Sequence, residues 1–579
     1  MSLIHCLRPQ KPVYIDDIVF KVESIQAIPQ APSYSVHRGK PTRCVWLPRY
    51  NEARLLLDKF IANVGYIHHV THHPSLPSVI DDVYRQIGSQ EPIKPGHLVL
   101  LLSIIASTTH VWTSLDDEGS LFESSTQANA QTPLWIKATH DVLNAVQDGP
   151  ALALETIQGI IILSFIICNL EGVSLRYRSL ISTGLLLGRE IGLHRIDHES
   201  NSAPANTLQA EVGRRVWWYL IATDWLLAVR HGSPGEGVYQ SHPRQMMVQK
   251  PRNINDLDLL NNNKLPIDLP ISQPTEMSYF LQRIRIAEIS RNIVDRNPMS
   301  AGGANYHTHV MAMDFELDHL IHDIPSFFHL EQYDHNPDSQ TDIFIQAYLL
   351  NSIIHTQRCK LHLTYLTSGP NNNPTYASSR DACLNSARQI IRTEIYLERT
   401  GHPFVLIRQR LSGLLYGVFM ATIVLLMDAC IHGSGSGSLQ NEIRHGEIAE
   451  ALRIVDDARR YSFAAANLYD SLMQVLEKHR QAPVSASPQL GNAPVSATAP
   501  TINALPASME RSESVTLVSN TTSVSTRGEP MSGSPDQTSV ANGQPLYYNP
   551  LAQGLEELML LDGFQWDDLF SGIDASSFF

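Results

Sequence analysis

The sequence predicts an all-α protein: one large multi-helix domain, then a disordered linker and a short C-terminal tail. Three observations carry that reading. Apolar residues recur at helical spacing from Asn51 to about residue 480, few segments alternate with period two, and the composition changes after Gln481. The 579-residue chain exceeds one ordinary domain, which allows a large core with appended segments. Its 43% apolar and 17% charged residues are the balance of a globular chain, not a wholly disordered one.

Residues 1–50 are rich in Pro and turn residues, carry short β-like runs such as "VYIDDIVFKV", and read as an extended N-terminal arm. From Asn51, "NEARLLLDKFIANVGYI" sets Leu55, Leu56, Phe60, Val64 and Ile67 along one helix face. Further helices are expected at about 78–88, 96–113, 132–147, 151–170, 173–192, 207–230, 275–296 and 308–322. Later ones fall near 338–367, 376–399, 403–432 and 440–480, closing a helical domain over 51–480. No repeat of fixed period marks a solenoid. Two apolar runs invite a membrane test. Thr156–Leu170 is too short and holds Gln158 and Asn169; Leu411–Met427 lies at the lower edge of spanning length and reads as a buried core helix. The opening "MSLIHCLRPQKPVY" lacks the charged-then-apolar order of a signal peptide.

Residues 481–550 are dominated by Ser, Thr, Pro, Ala, Gly and Asn and bury too little apolar surface to offset chain entropy, the mark of a disordered linker. In the tail, 551–579, Glu556, Glu557, Asp562, Asp567, Asp568 and Asp574 alternate with Leu555, Leu558, Leu560, Phe564, Trp566, Leu569 and Phe570. No Lys or Arg follows Arg527. Acidic–hydrophobic alternation is the composition of an activation segment: like charges hold the aromatics in water until a partner groove takes them as a short helix. Leu560, Phe564, Trp566, Leu569 and Phe570 are the residues expected to bind a transcriptional coactivator. The alternative is a terminal helix that docks on its own domain.

A net charge of −14, from 43 Lys+Arg against 57 Asp+Glu, opposes broad adhesion to nucleic acid or an anionic membrane. The six cysteines, Cys6, Cys44, Cys168, Cys359, Cys383 and Cys430, form no CxxC pair, so neither a disulfide framework nor a structural zinc spacing is present. "YIHHVTHHP" sets His68/His72 and His69/His73 four apart, without a nearby acidic or cysteine third ligand and with Pro74 ending the turn. "GLHRIDH" repeats the spacing with His194 and His198, but Arg195 stands where a zincin needs Glu. "HGSGSGS" and "RHGSPGEGVY" fit no phosphate-binding or nucleophile-elbow motif and read as flexible loops, with Gly232 as a C-cap. No catalytic, cofactor-binding or metal residue is assigned, and an enzyme is not expected.

The stretch "EVGRRVWWYLIATDW" interleaves basic and aromatic residues. Val212, Val216, Leu220, Thr223 and Leu227 trace one helical stripe, widened by Trp217, Tyr219 and Leu226. Arg214 and Arg215 in the N-terminal half and Asp224 in the C-terminal half oppose the helix dipole, which points to fixed partners, here expected to be acidic residues on neighbouring helices. Core packing with a structural ion pair is expected in place of nucleic-acid contact.

Together, "LISTGLLLGREIGLHRID", "EVGRRVWWYLIATDWLLAVRHGSPGEGVY", "PRNINDLDL" and "MSYFLQRIRIAEISRNIVDR" resemble the middle homology region of fungal binuclear zinc-cluster (Zn2Cys6) transcription factors. With "GYIHHVTHHPSLPSVIDDVY", the likeness covers most of 51–480. It implies a helical regulatory domain marked by Gly192, Leu193, His194, Arg214, Arg215, Trp217, Trp218 and Asp224, none of them catalytic. The family normally opens with six cysteines on two zinc ions, whose helix enters the major groove. Residues 1–50 hold only Cys6 and Cys44, so no DNA-binding residue is assigned.

The expectation is a nuclear transcription-factor-like regulator whose DNA targeting comes from a partner protein or a homo- or heterodimer, without a membrane role. A secondary-metabolite gene cluster is the setting the resemblance suggests. The alternatives are a zinc-cluster factor whose upstream exon is missing, a helical small-molecule-binding or enzymatic protein derived from that fold, and an inhibitor that pairs with a full-length relative.

Overall fold

"KPTRCVWL", with β-branched and aromatic residues at Thr42, Val45 and Trp46, forms the strand Lys40–Leu47 (β3), and two shorter strands, Ile18–Val22 (β1) and Ser33–His37 (β2), pair with it. The order is β1-β3-β2, with β1 parallel and β2 antiparallel to β3. The β-like run is therefore a strand within the stretch read as an extended arm. Its partner in β3 starts with Arg43 opposite Ile18, beyond the reach of local patterning. Val45 and Leu47 are buried in the main core, as is Ile25 in the turn after β1. The computed structural model describes residues 18–31, 33–37, 40–117, 121–147, 152–201, 204–229, 237–260, 267–296, 305–333, 342–367, 376–432, 438–461, 465–470 and 472–473. The linker 481–550 and the tail 551–579, with Leu560, Phe564, Trp566, Leu569 and Phe570, lie outside the described residues.

The rest is helical, in sixteen α-helical segments among the described residues. They are α1 (Tyr50–Phe60), α2 (Tyr66–His68), α3 (Leu76–Gly88), α4 (Pro95–His110), α5 (Ser125–Gln147), α6 (Leu154–Glu171), α7 (Leu175–Glu190) and α8 (Leu208–Ala228). There follow α9 (Ser278–Arg296), α10 (Asn305–Asp323), α11 (Asp342–His362), α12 (Thr364–Thr367), α13 (Ala377–Arg399), α14 (Phe404–Arg408), α15 (Ser412–His432) and α16 (Ser438–Arg459). The fold class is all-α with one small sheet, as the periodicity predicts.

Side chains set the boundaries. Glu52 accepts the N–H of Arg49 at 2.8 Å and of Ile25 at 2.9 Å, which caps α1 and ties it to the turn after β1. Ser174 caps α7 by accepting from the Tyr177 N–H, and Thr207 caps α8 by accepting from Ala210. Two segments depart from expectation. α5 starts at Ser125, earlier than the 132 start, because "STQANAQT" lacks apolar period and Pro133 lies inside the helix; burial of Ala128, Gln131 and Thr132 extends it. The expected 403–432 helix is broken between Arg408 and Ser412. There the Ser412 hydroxyl donates to the Asn169 carbonyl at 2.6 Å and the Gly413 N–H to Asn169 Oδ1 at 3.2 Å, so the start of α15 is docked on the end of α6.

α4 and α6 form the centre. α4 packs against α1, α3, α5 and α6, and α6 against α4, α7, α8 and α15. A Cβ on Gly159 would lie 3.0 Å from the Val99 backbone, so glycine sets the close approach of α6 to α4. α6 is long and apolar enough by composition to cross a membrane, yet its faces are taken up by those helices and Gln158 donates to the Val70 carbonyl at 2.7 Å. α11, α13, α15 and α16 surround a second apolar cluster, including Cys359, Cys383, Val418, Val424, Leu452 and Val455.

Candidate functional site: the buried ion-pair network around α8

α8 is buried along nearly its whole length, charged residues included: Glu211, Arg214, Arg215 and Asp224 are all withdrawn from water. Such burial holds only where each charge is paired and hydrogen-bonded. The Arg214 fork grips Asp197, Nε to Oδ2 at 3.0 Å and Nη2 to Oδ1 at 2.6 Å. Its Nη1 donates to Glu211 Oε2 at 2.9 Å, one turn back on the same helix. Asp197 also accepts the Gln249 N–H at 2.6 Å, and Glu211 the Arg252 N–H at 2.9 Å. Burial pulls the Arg214 pKa down, but Asp197 and Glu211 more than reverse it and hold the group charged.

Arg215 points elsewhere. Its Nη1 donates to Asp256 Oδ1 at 2.6 Å. Asp256 Oδ2 accepts the His73 N–H at 2.8 Å, and the Asp256 carbonyl meets His72 Nε2 at 3.0 Å. The Asp256 N–H donates in turn to Glu276 Oε2 at 2.7 Å. Burial would raise the Asp256 carboxyl, but the Arg215 charge and then His69 hold it well below the usual carboxylate range.

The aromatic and acidic groups of α8 do the same work on the backbone that runs alongside. Trp218 Nε1 donates to the Gln249 carbonyl at 2.8 Å and Trp225 Nε1 to the Ser241 carbonyl at 3.0 Å. Trp217 Nε1 meets Met246 Sδ at 3.4 Å. Asp224 accepts from the backbone of Gln240 at 2.8 Å and Ser241 at 3.0 Å; burial pushes its carboxyl up to about 6 against the pull of those N–H groups. Residues 239–256 have little regular structure, so their backbone groups need outside partners, and α8 supplies them.

The eight positions that the resemblance singles out lie on α8 and on the turn after α7. Gly192 ends the turn after α7 at φ 83, a left-handed conformation that glycine adopts without strain. Leu193 is buried beside it, and the His194 ring lies 6.0 Å from Trp217 while the His194 carbonyl accepts from the Met247 N–H at 2.8 Å. Arg214, Arg215, Trp217, Trp218 and Asp224 project from α8 as described. The expected acidic partners on neighbouring helices are corrected: Asp197 lies in the turn after α7, Asp256 opens a 3-10 turn at Asp256–Leu260, and Glu211 is on α8 itself. The two partners outside α8, Asp197 and Asp256, stand on loops because it is loop backbone that α8 has to hold. Asp256 was visible in "PRNINDLDL" but nothing local paired it with Arg215, 41 residues earlier.

The four-residue histidine spacing does not make a helix face, although the His69 and His73 rings meet edge to face at 5.2 Å. α2 stops at His68, and His69 turns left-handed at φ 49. His68 packs edge-on against Phe165 at 4.4 Å, His72 bonds Ser75 Oγ at 2.6 Å, and His69 alone faces Asp256 and Glu276. Burial lowers the pKa of both His68 and His73 to about 3, so both rings are neutral. His194 and His198 also part company, the latter bonding Ser200 Oγ at 2.8 Å. Most of "HGSGSGS" and "RHGSPGEGVY", including Gly232, lies outside the described residues. The cysteines whose side chains are described fall in β3 (Cys44), α6 (Cys168), α11 (Cys359) and α13 (Cys383).

Arg214 and Arg215 are thus consumed by buried carboxylates and present no surface to a phosphate. The chain is 35% identical over 449 residues to "Probable transcription factor lepB" of Aspergillus flavus, covering 75% of this chain and 78% of that protein. The chain belongs to the fungal transcription-factor family. It is also 30% identical to "Transcription factor TAS2" of Pyricularia oryzae, over 60% of this chain and 46% of that one. To "Agnestins biosynthesis cluster transcription factor AgnL11" of Paecilomyces divaricatus it is 27% identical, over 80% of this chain and 66% of that one. No protein-family model matches the sequence. This fungal transcription-factor relative is a transcription-factor-like regulator, and α8 with its loop is the best-defined polar centre among its described residues.

Proposed function

We propose that this protein regulates transcription in the nucleus through a helical domain of the middle homology type, 51–480, and an acidic activation tail, 551–579. The observation that carries the reading is the 35% identity to a probable transcription factor across three quarters of the chain. Control of a biosynthetic gene cluster is the setting suggested by the relative named for the agnestins cluster. The buried ion pairs of α8 support a regulatory and structural role for the marker residues, not a catalytic one. DNA targeting is assigned to a partner protein, and coactivator binding to Leu560, Phe564, Trp566, Leu569 and Phe570.

The test fuses residues 550–579 to an unrelated DNA-binding domain and reads a reporter. Activation that falls on Trp566→Ala and Phe570→Ala is expected, since each substitution removes an aromatic anchor from the partner groove. No output from the parent fusion, or equal output from the variants, refutes the activator assignment. Tagged full-length protein that stays cytosolic under inducing conditions refutes the nuclear one.

A further inference from the structure

At the carboxylate end of the α8 network, Arg215 Nε and Nη2, His73 Nε2 and both ring nitrogens of His69 lack hydrogen-bond partners, and His69 is the ring that faces the carboxylates. His69 is 2% exposed, and neither of its ring nitrogens has a hydrogen-bond partner. A buried imidazole without a partner is costly, and native structures seldom tolerate one unless something else meets it. Its Nε2 points at two carboxylate oxygens, Asp256 Oδ1 at 3.5 Å and Glu276 Oε2 at 3.8 Å. Both separations are too long for a good hydrogen bond. They are close to the edge of a coordination tetrahedron, where two ligands each about 2.1 Å from an ion lie roughly 3.4 Å apart. All three ligating atoms fall within 4.8 Å of one another, the one such group among the described residues.

We propose that His69, Asp256 and Glu276 form a divalent transition-metal site, with Zn2+ as the fitting ion. One imidazole and two carboxylates without a thiolate make a nitrogen–oxygen donor set that suits Zn2+, and three protein ligands leave a position for water or a small ligand. The site joins three segments remote in sequence: the left-handed turn after α2, the 3-10 turn at Asp256, and the residues just before α9. Arg215 donates to Asp256 Oδ1 at 2.6 Å and so orients that carboxylate from the outer shell. A third carboxylate, Asp342 at the start of α11, lies near enough to feel both Glu276 and His69, repelled by the first and attracted by the second. The Glu276 side chain is 43% exposed, which gives the ion a way in. The histidine run reads as metal-free in the sequence because both carboxylates lie more than 180 residues away.

The experiment uses the full chain, stripped with a chelator, dialysed, and titrated with Zn2+ against a chromophoric competitor, with bound metal counted by mass spectrometry and Tm read in parallel. One equivalent of Zn2+ and a Zn2+-dependent rise in Tm are expected. Glu276→Gln keeps an acceptor for the Asp256 N–H and is partly exposed, so it preserves the fold; it should weaken Zn2+ at least about 10-fold and abolish the Tm rise. His69→Gln should do the same, and His319→Gln with His322→Gln, both on exposed side chains, should leave binding unchanged. Absence of stoichiometric Zn2+ in the parent overturns the proposal. So does parental affinity in Glu276→Gln, which decides the matter alone where His69→Gln fails to fold.

Discussion

Replacing Arg215 by Met tests whether the α8 network is a structural ion pair. The substitution keeps an unbranched stem but removes a guanidinium that is 0% exposed and 2.6 Å from an Asp256 carboxylate that is itself 2% exposed. Asp256 retains the His73 N–H at 2.8 Å, which does not replace a full charge. Removing one partner of a buried pair costs about 3–5 kcal/mol, because the other charge is left uncompensated. Unfolding entropy near 2 cal/mol/K per residue makes a domain as long as 51–480 shift by only about 1 °C per kcal/mol, so a fall in Tm of about 3–5 °C is expected. Differential scanning calorimetry of Arg215→Met, Asp256→Asn and the double variant reads it. The double variant should recover much of the loss, since no charge is then stranded. A single-variant shift below about 1 °C, or a double variant worse than the two singles added, refutes the pairing.

Asp224 gives the stability a pH dependence of uncommon sign. Burial raises its folded-state pKa to about 6 from an ordinary 3.8, so the folded chain holds the proton more tightly than the unfolded one. Its contribution is therefore most favourable below about pH 4 and declines as pH rises through about 6, by roughly 3 kcal/mol in all. The Tm difference between parent and Asp224→Asn, followed from pH 7 down to pH 5, should move in favour of the parent; a flat difference contradicts the raised carboxyl. Burial also pushes the Cys168 thiol up to about 12 and the Cys383 thiol well above its usual range. Both should resist iodoacetamide at pH 8 until denaturant is added, as read by peptide mass spectrometry, and prompt labelling of either in the folded chain contradicts the packing of α6 or α13.

Much of α8 was legible in the sequence. Helical spacing places it over about 207–230, the stripe through Val216 and Leu220 gives its buried face, and charges set against the dipole announce fixed partners. The identity of those partners was not. Asp197 and Asp256 stand 17 and 41 residues from the arginines they neutralise, on segments with no regular period. The start of α5 and the break before α15 were missed for a similar reason: burial on α4 overrides the polar "STQANAQT", and docking on Asn169 restarts the chain at Ser412.

His69 shows the limit most clearly. The spacing in "YIHHVTHH" shows no third ligand nearby, whereas the helix ends at His68, the next residue reverses its backbone, and His69 is turned toward two carboxylates far along the chain. The sequence by itself determined the helical class, the positions of most helices and the composition of linker and tail, because each depends on neighbours within a few turns. Only the tertiary structure decided which carboxylates meet Arg214, Arg215 and His69. Those contacts depend on where distant loops are brought together, and a charge carries no local mark of the charge it will meet.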